Sequence, residues 1–369
     1  MADIDIAEEL PLPAQQRPPV VTSGVIGWLR ANLFNSVFNT ILTILAVYLL
    51  VLTVPPLIRW AFIDAVWDAP NGQACRGEGA CWAFIGEKWR FIFFGRFPYD
   101  AQWRPLFVVV IIIGLVLASC DRRLWGRRLM LLWPAGLVVV GILMSGGVFG
   151  LRYVPSEYWS GLPLTLILAV VGMLFAFPFA ILLALGRRSN LPAVRVVSVA
   201  YIELVRGVPL ITVLFMASVM LPLFLPEGVT IDKLLRAQVA FILFAAAYLA
   251  EVVRGGLQAI PKGQIEAADA LGLGYWRRTR LIVLPQALAM VIPPLVNNFI
   301  AAFKNTSLVL IIGLFDLLNT ANTALTDSNW QGFASESYVF VAAIYFCFCF
   351  FMSRYSQRLE RTLNRGHRR

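Results

Sequence analysis

GGLQAIPKGQIEAADALGLGYWRRTRLIVLPQAL, residues 255–288, is a polar and basic stretch that separates two apolar runs at 238–253 and 287–303. Its apolar residues recur at helical spacing up to Gly272 and Gly274, and glycines at such positions end helices. The stretch therefore predicts two short helices around a glycine break, placed between two membrane-spanning helices. On pattern alone it fits either an amphipathic helix at the lipid headgroups or a helix that docks into a groove of a partner protein.

The composition of the whole chain excludes a soluble globular protein. Of the 369 residues, 59% are hydrophobic and 14% are charged, with a mean hydropathy of +0.75. Soluble chains carry about 25% charged residues because water must wet their surface. A bilayer core of ~30 Å needs about 20 apolar residues as a helix. Eight runs fit: 37–58, 106–119, 129–149, 162–185, 199–225, 238–253, 287–303 and 338–352. The fold class is an all-α integral membrane protein with about eight transmembrane helices.

A ninth apolar run, 308–318, is too short to span a membrane. Counting it as a crossing would place the C-terminal tail on the opposite side from the other basic segments. We therefore expect one interrupted element from 287 to about 318, broken by Pro293-Pro294 and by the polar segment 304–307. Irregular backbone at that depth is tolerated where protein buries it or where it lines a wet cavity.

The basic residues predict the orientation of the chain. With the N-terminus inside, 21 of the 31 Lys and Arg residues fall on the inner side, as the positive-inside rule requires. The termini are then cytoplasmic, and residues 60–104 form the long periplasmic loop. The net charge of +10 is thus explained by the orientation of the chain in the membrane, and this argues against a nucleic-acid partner. The acidic start of the chain does not resemble a signal peptide.

The cysteines and the single histidine limit the chemistry of the chain. Cys75 and Cys81 lie in the loop predicted to be periplasmic, where the spacing permits a disulfide; the bridged and the free forms both stay open. His367 is the sole histidine, and no CxxC pair occurs. We expect no metal site and no catalytic residue on this chain.

The stretch at 255–288 also resembles a known family. Glu266-Ala267-Ala268, three residues, Gly272, nine residues and then Ile282-Val283-Leu284-Pro285 is similar to the EAA loop in the inner-membrane permease subunits of ATP-binding-cassette importers. YIELVRGVPL, AYLAEVVRGGLQAIPKGQ and LPQAL resemble the branch that imports polar amino acids. The three spans before this region resemble the extended permeases of general L-amino-acid importers.

This resemblance implies the partners and the organisation of the chain. The importer would contain a dimer of ATPase subunits, a second permease that is a paralogue, and a periplasmic amino-acid-binding protein. ATP and Mg would bind the ATPase, because this sequence has no GxxxxGK[S/T] motif. The implied parts are a cytoplasmic arm (1–36), an extra membrane region (37–150), a five-helix type I importer core (158–360) with its coupling loop (255–286), and a basic cytoplasmic tail (361–369).

The resemblance also assigns roles within the coupling loop. Ala267 and Ala268 would let the coupling helix seat deeply in a groove of the ATPase, Glu266 would form a charged contact or cap the helix start, and Gly272 would permit the turn. The full set of expected coupling residues is Glu266, Ala267, Ala268, Gly272, Ile282, Leu284 and Pro285.

The substrate path follows from the chemistry of a zwitterion. An amino acid needs a cation or donor for its carboxylate and an acceptor for its ammonium, away from lipid. Candidate residues are Asn297, Asn298, Lys304, Asn305, Thr306, Ser307 and Glu251. Around the broken helix these groups fit either the path or helix capping at the interface. Many relatives carry Asp or Glu where this chain has Asn298 and Asn305, so Lys304 would be free to attract a substrate carboxylate.

The function expected is a permease subunit that forms the path for L-amino acids across the bacterial inner membrane. The alternative is a secondary transporter driven by an ion gradient, which often shows inverted repeats and intramembrane acidic relays. The sequence shows no clear repeat and no acidic residue central to any of the eight spans. Glu251 and Arg254 are three residues apart and predict a surface ion pair, with a gate as the other interpretation.

Overall fold

The computed structural model describes residues 24–364 except 76 and 78. The predicted N-terminal arm before residue 24, the basic tail from residue 365 and His367 lie outside these residues. The described part is helical, with two isolated β-bridges and no β-strand. It divides into two compact units. One contains the described residues up to Ala65 and a short piece at 77–80, and the other contains the rest.

The first unit is built on one long apolar helix. After α1 (Gly24–Asn32), α2 (Val37–Ile58) begins at Ser36, whose side chain accepts from the Asn39 N–H at 3.2 Å. A π-helical turn, Arg59–Ile63, continues α2. Within the described part of the chain no residue of α2 is buried, yet nearly all are apolar. Such a helix is suited to hydrocarbon rather than water, and its bounds match the predicted span at 37–58.

The second unit contains all the remaining helices. In chain order these are α3 (Trp82–Phe94), α4 (Trp103–Cys120), α5 (Arg127–Ser145), α6 (Gly161–Leu166), α7 (Gly172–Arg187), α8 (Pro192–Gly207), α9 (Leu210–Phe215), α10 (Leu221–Leu223), α11 (Lys233–Ala259), α12 (Lys262–Ala270), α13 (Tyr275–Arg278), α14 (Leu284–Met290), α15 (Ile292–Asn305), α16 (Leu317–Ala324) and α17 (Ala334–Asn364). π-Helical turns join α6 to α7, α9 to α10 and α13 to α14 at Ile167–Val171, Met216–Met220 and Thr279–Val283.

The number of spans agrees with the expectation from sequence. Seven helices of the described residues are long and apolar enough to cross a membrane, and a bent pair makes eight. The spans are Val37–Ile63, Tyr99–Cys120, Arg127–Ser145, Gly161–Arg187, the pair Pro192–Gly207 with Leu210–Leu223, Lys233–Ala259, Ile292–Ile312 and Ala334–Thr362. Five of these follow residue 160. The all-α membrane fold with about eight spans is thus confirmed.

The bent pair corrects one predicted span. The apolar run at 199–225 predicts one span, and the structure has two helices there, α8 and α9 with its continuation, that meet at 103°. Pro209 causes the bend, because it lacks an N–H and disfavours helical geometry in the residue before it. Val208 accordingly is extended, with φ −111° and ψ 134°. The helical segment also begins earlier, at Pro192.

The element at 287–318 is interrupted as expected, although its end differs. α14 ends at Met290, and α15 begins with Pro293 and Pro294 in its first turn, where a missing N–H costs least. The helix narrows to a 3₁₀ form at Thr306–Ile312 and stops at Gly313, whose φ is +74°. Asp316 then caps α16. The interrupted element therefore ends at Ile312, and Leu317 and Leu318 belong to a separate short helix.

The spans α7 and α11 form the centre of the second unit and position the site. They pack on each other through small side chains, among them Ala176, Ala180, Ala246 and Ala250, all of which are buried. Small residues let two helix backbones approach closely. The resulting van der Waals contact drives helix association in a bilayer, where the hydrophobic effect does not.

Part of the loop predicted to be periplasmic folds onto the C-terminal region. α3 lies within residues 60–104, and its late carbonyls at Ile92 and Phe94 accept from the hydroxyls of Thr320 and Ser160 at 2.7 and 3.1 Å. The Cys81 N–H donates to Glu336 at 2.9 Å. Cys75 and Cys81 form a disulfide, and both are buried. The sequence predicted a loop here, whereas the structure contains a packed helix.

A buried arginine fixes the ends of α4 and α5. Arg104 is only 1% exposed and donates to three backbone carbonyls, those of Leu143, Met144 and Arg152, at 2.6, 3.2 and 2.8 Å. The carbonyls at the end of a helix have no partner within it and carry partial negative charge. The guanidinium satisfies two of those at the end of α5.

We expect Arg104→Leu to lower the free energy of unfolding by about 3 kcal/mol, because it leaves three carbonyls without their donor. Thermal unfolding of the purified chain in detergent measures the change. Arg152→Gln is the matched control, since the Arg152 side chain is exposed and only its backbone is used. Equal midpoints for the two variants would contradict this role of Arg104.

Candidate coupling loop and translocation cavity

The loop between α11 and α14 forms the two short helices that its sequence predicts. α12 ends in a Schellman motif, in which the Gly272 N–H donates to Asp269 O at 2.9 Å and the Leu273 N–H donates to Ala268 O at 3.1 Å. Gly272 has a φ of +74°, a conformation that glycine adopts without strain. Arg278 of α13 pairs with Asp269 at 2.5 Å, so the two helices are held together.

The two alanines of the loop have different environments. Ala267 is exposed, as are Glu266 and Pro285, whereas Ala268 is only 1% exposed. Ala268 therefore packs within its own chain, and its role in seating the helix in an ATPase groove stays a prediction. Its small size serves the seating of α12 against the segment Thr279–Val283. Ile282 and Leu284 are half-buried.

Large apolar side chains of this loop remain exposed in the described chain. Leu271 is 78% exposed, Trp276 71% and Leu281 64%. Scattered exposed apolar residues are ordinary, but three on the loop that also carries the exposed Ala267 are a candidate interaction surface. We refer to Ala267, Leu271, Trp276 and Leu281 as the coupling face.

A cavity of about 200 Å³ lies between α7, α9, α11 and α15. Its polar side chains are Asn298 and Asn305, which project from one face of α15 seven residues apart, and Tyr248 of α11. The Asn298 Nδ2 donates to Pro294 O at 2.8 Å. The other lining residues are Met173, Leu210, Phe241, Phe244, Ala245, Leu249, Ala301 and Ala302. A mostly apolar cavity with a few polar groups is typical of a small-molecule site.

The remaining residues predicted for the substrate path lie elsewhere. Asn297 and Lys304 are exposed on a different face of α15. Thr306 is buried and donates to Phe303 O at 2.9 Å, and Ser307 donates to Lys304 O at 3.0 Å. Thr306 and Ser307 therefore cap the helix where it changes from α to 3₁₀ form. Helix capping was the alternative to a place in the substrate path. Of the six candidates on the broken helix, leaving Glu251 aside, only Asn298 and Asn305 come together at the cavity.

Glu251 is the centre of an ionic cluster rather than half of a pair. It lies 2.7 Å from Arg254, 3.1 Å from Arg187 and 3.7 Å from Arg206. Arg187 also pairs with Glu203 at 2.7 Å. The cluster connects α7, α8 and α11. From the sequence only the Glu251–Arg254 spacing was visible, and the other partners were not identified because they lie far away along the chain.

Sequence reasoning also missed Tyr248 and Asp316. Tyr248 belongs to a stripe of α11 that includes Phe241 and Ala245, and this three-to-four residue spacing was the available signal. Asp316 is fully buried and accepts from Asn319 Nδ2 at 2.6 Å and Tyr345 OH at 3.0 Å. Burial raises the pKa of the Asp316 carboxyl. It anchors α16 and does not line the cavity.

Asp327 shows the opposite shift. Its Oδ2 lies 2.6 Å from the Lys88 ammonium, and the hydrogen bond from Lys88 lowers the pKa of the Asp327 carboxyl. A lowered pKa means that this pair contributes stability above the ordinary carboxylate pKa and loses it as the pH falls through the lowered value.

Two further features of the described residues bear on the site. A larger cavity, of about 410 Å³, lies between residues 145–159 and the start of α11, and none of the residues predicted to be functional lines it. No group of three or more His, Cys, Asp or Glu side chains within the described ranges could hold a metal ion.

Comparison with known proteins places these features in a family. The family model described as binding-protein-dependent transport system inner membrane component matches residues 176–365, just over half of the chain. The inner membrane amino-acid ABC transporter permease protein YhdY of Escherichia coli strain K12 is 52% identical over 94% of this chain and 95% of its own length. The glutamate/glutamine/aspartate/asparagine transport system permease protein BztC of Rhodobacter capsulatus is 40% identical over 96% and 97%.

A shorter relative aligns with only part of the chain. The probable glutamine ABC transporter permease protein GlnP of Bacillus subtilis is 32% identical, and 91% of it corresponds to 55% of this chain. Taken with the apolar helices, the matches establish a multi-pass inner-membrane permease. The chain belongs to the family of binding-protein-dependent transport system inner membrane components.

Proposed function

We propose that this permease forms the path for L-amino acids through the inner membrane, together with a second, paralogous permease subunit. The observation that carries the proposal is the cavity between α7, α9, α11 and α15, where two amide side chains lie among apolar ones. The two relatives that align along nearly the whole chain are named as amino-acid permeases, which supports the choice of substrate.

The energy for transport would come from a separate ATPase dimer that docks on the coupling face. ATP and Mg bind that partner, and this chain holds no cofactor. The exposure of Ala267, Leu271, Trp276 and Leu281 supports the docking site, since burial of apolar area drives most association. Movement of α12 with the ATPase would tilt α11 and α14, so that the cavity opens alternately to each side.

Ala267→Arg is expected to abolish recovery of the ATPase with the tagged permease, because a long charged side chain holds α12 away from its groove. Ala267→Ser, which keeps the side chain small, should retain it. Co-purification from membranes and ATP hydrolysis by the purified complex measure the effect. Recovery of the ATPase with the Arg variant at the wild-type level would exclude Ala267 from the interface.

The orientation in the membrane completes the assembly. With both termini in the cytoplasm, the basic coupling loop faces the ATPase and the segment that contains α3 faces the periplasm. An amino-acid-binding protein would deliver substrate on the periplasmic side. In this arrangement, residues 37–150 form an extra membrane region and 158–360 form the transporter core.

The lining of the cavity favours neutral or acidic amino acids over cationic ones. Among its described lining residues, Asn298, Asn305 and Tyr248 offer donors and acceptors, and none is acidic. A cationic side chain would find no counter-charge there. Lys304, which sequence reasoning placed beside the substrate, is exposed outside the cavity wall and is no longer the residue we propose for the carboxylate.

We expect Asn298→Leu to raise the KM for amino-acid uptake about tenfold, because one lost hydrogen bond to a charged group is worth ~1.5 kcal/mol. Asn297→Leu is the matched control, since this neighbouring residue is exposed on another face of α15. Uptake by membrane vesicles with the complete importer measures both variants. An unchanged KM for Asn298→Leu would remove this residue from the path.

The secondary-transporter alternative makes an opposite prediction. If an ion gradient drives transport, this chain alone in proteoliposomes should accumulate amino acids without ATP. We expect no accumulation unless the ATPase, the second permease, the binding protein and ATP are all present. Uptake of radiolabelled glutamine in both preparations decides between the two.

A further inference from the structure

The ionic cluster of Arg187, Glu203, Arg206, Glu251 and Arg254 lies directly next to the cavity. Tyr248 lines the cavity, and Glu251 follows it by three residues on α11, which is about 4.5 Å along a helix. The Tyr248 hydroxyl donates to Arg206 O at 3.4 Å. None of the five cluster residues lines the cavity itself; they lie beyond Tyr248 on the side of the coupling loop, and we refer to them as the floor of the cavity.

Among the three arginines, Arg206 is the least tightly held. Its guanidinium lies 3.7 Å from Glu251, whereas Arg254 and Arg187 approach Glu251 to 2.7 and 3.1 Å. Its side chain is 36% exposed, the largest value of the three. The guanidinium also lies 5.6 Å from the centre of the Tyr248 ring, the side chain that faces the cavity.

The charges of the cluster do not balance. Three guanidinium groups share two carboxylates, and Arg187 already joins Glu203 to Glu251. One positive charge is thus left without a full partner at the floor of the cavity. A guanidinium binds a carboxylate with two parallel hydrogen bonds, a stronger contact than Arg206 makes with Glu251 at 3.7 Å.

We propose that Arg206 receives the carboxylate of the substrate amino acid at the inner end of the path, in exchange for Glu251. This inference rests on the proposed function, because it takes an amino acid as the substrate. The exchange removes the ion pair between α8 and α11. Arg187 still joins α7 to both helices. The substrate therefore loosens the contact between α8 and α11 and leaves the contacts of α7 in place.

The proposal makes opposite predictions for the two partners. Arg206→Gln removes the cation and should weaken substrate binding about tenfold or more, while Arg206→Lys, which keeps the charge but not the two parallel hydrogen bonds, should have an affinity between those of wild type and Arg206→Gln. Glu251→Gln removes the competing carboxylate and should tighten binding. If the cluster only held α7, α8 and α11 together, Arg206→Gln and Glu251→Gln would both weaken binding to a similar degree.

The measurement is equilibrium binding of radiolabelled L-glutamate and L-glutamine to the complete permease–ATPase complex in lipid nanodiscs, without nucleotide and without binding protein. Arg195→Gln is the matched control, because Arg195 is exposed on the same helix and forms no ion pair among the described residues. Size-exclusion profiles and thermal midpoints check that each variant is folded and assembled. Should Arg206→Gln not assemble, the direction of change in Glu251→Gln still decides.

The outcomes separate this inference from the proposed function. Weaker binding in Arg206→Gln together with tighter binding in Glu251→Gln supports the role of Arg206. Binding within twofold of wild type in a folded Arg206→Gln complex overturns it, as does weaker binding in Glu251→Gln. If the wild-type importer neither binds nor transports either amino acid, the proposed function fails and this inference fails with it.

Discussion

A hydrocarbon bilayer offers no partner to a backbone N–H or C=O, and this constraint governs the irregular segments of the chain that lie at membrane depth. Where a helix ends or bends, a side chain takes the place of water. Arg104 donates to two carbonyls at the end of α5. Thr165 accepts from the Leu317 N–H at the start of α16.

The same constraint divides the polar residues of the C-terminal half into two groups. Thr306, Ser307 and Asp316 satisfy backbone or one another, and they hold the 3₁₀ segment and α16 in place. Asn298 and Asn305 line the cavity, although Asn298 also donates to the Pro294 carbonyl. Residue type alone cannot separate these groups, since amides and hydroxyls perform both tasks. The helical phase along α15 separates them, because it is what places the two asparagines on one face.

The accuracy of sequence reasoning follows the range of the interactions involved. The bounds of α2, the two short helices around Gly272 and the break at Pro293-Pro294 depend on local pattern, and the sequence predicts them. The bend at Pro209 was also locally encoded, but a continuous apolar run concealed it. α3 and the partners of Glu251 depend on contacts between distant parts of the chain. One sequence without relatives cannot reveal such contacts, and the spacing of Glu251 and Arg254 indicated only the local pair.

The contacts of α3 have a consequence for how this permease can be shortened. Thr320, Ser160 and Glu336 belong to the C-terminal region, yet their partners are supplied by residues 81–94. A chain that begins after α3 would lose these partners and uncover apolar side chains such as Phe333, which stacks on Phe84. α3 is therefore not detachable from the C-terminal region, and a chimera that lacks α3 would need a replacement for its contacts.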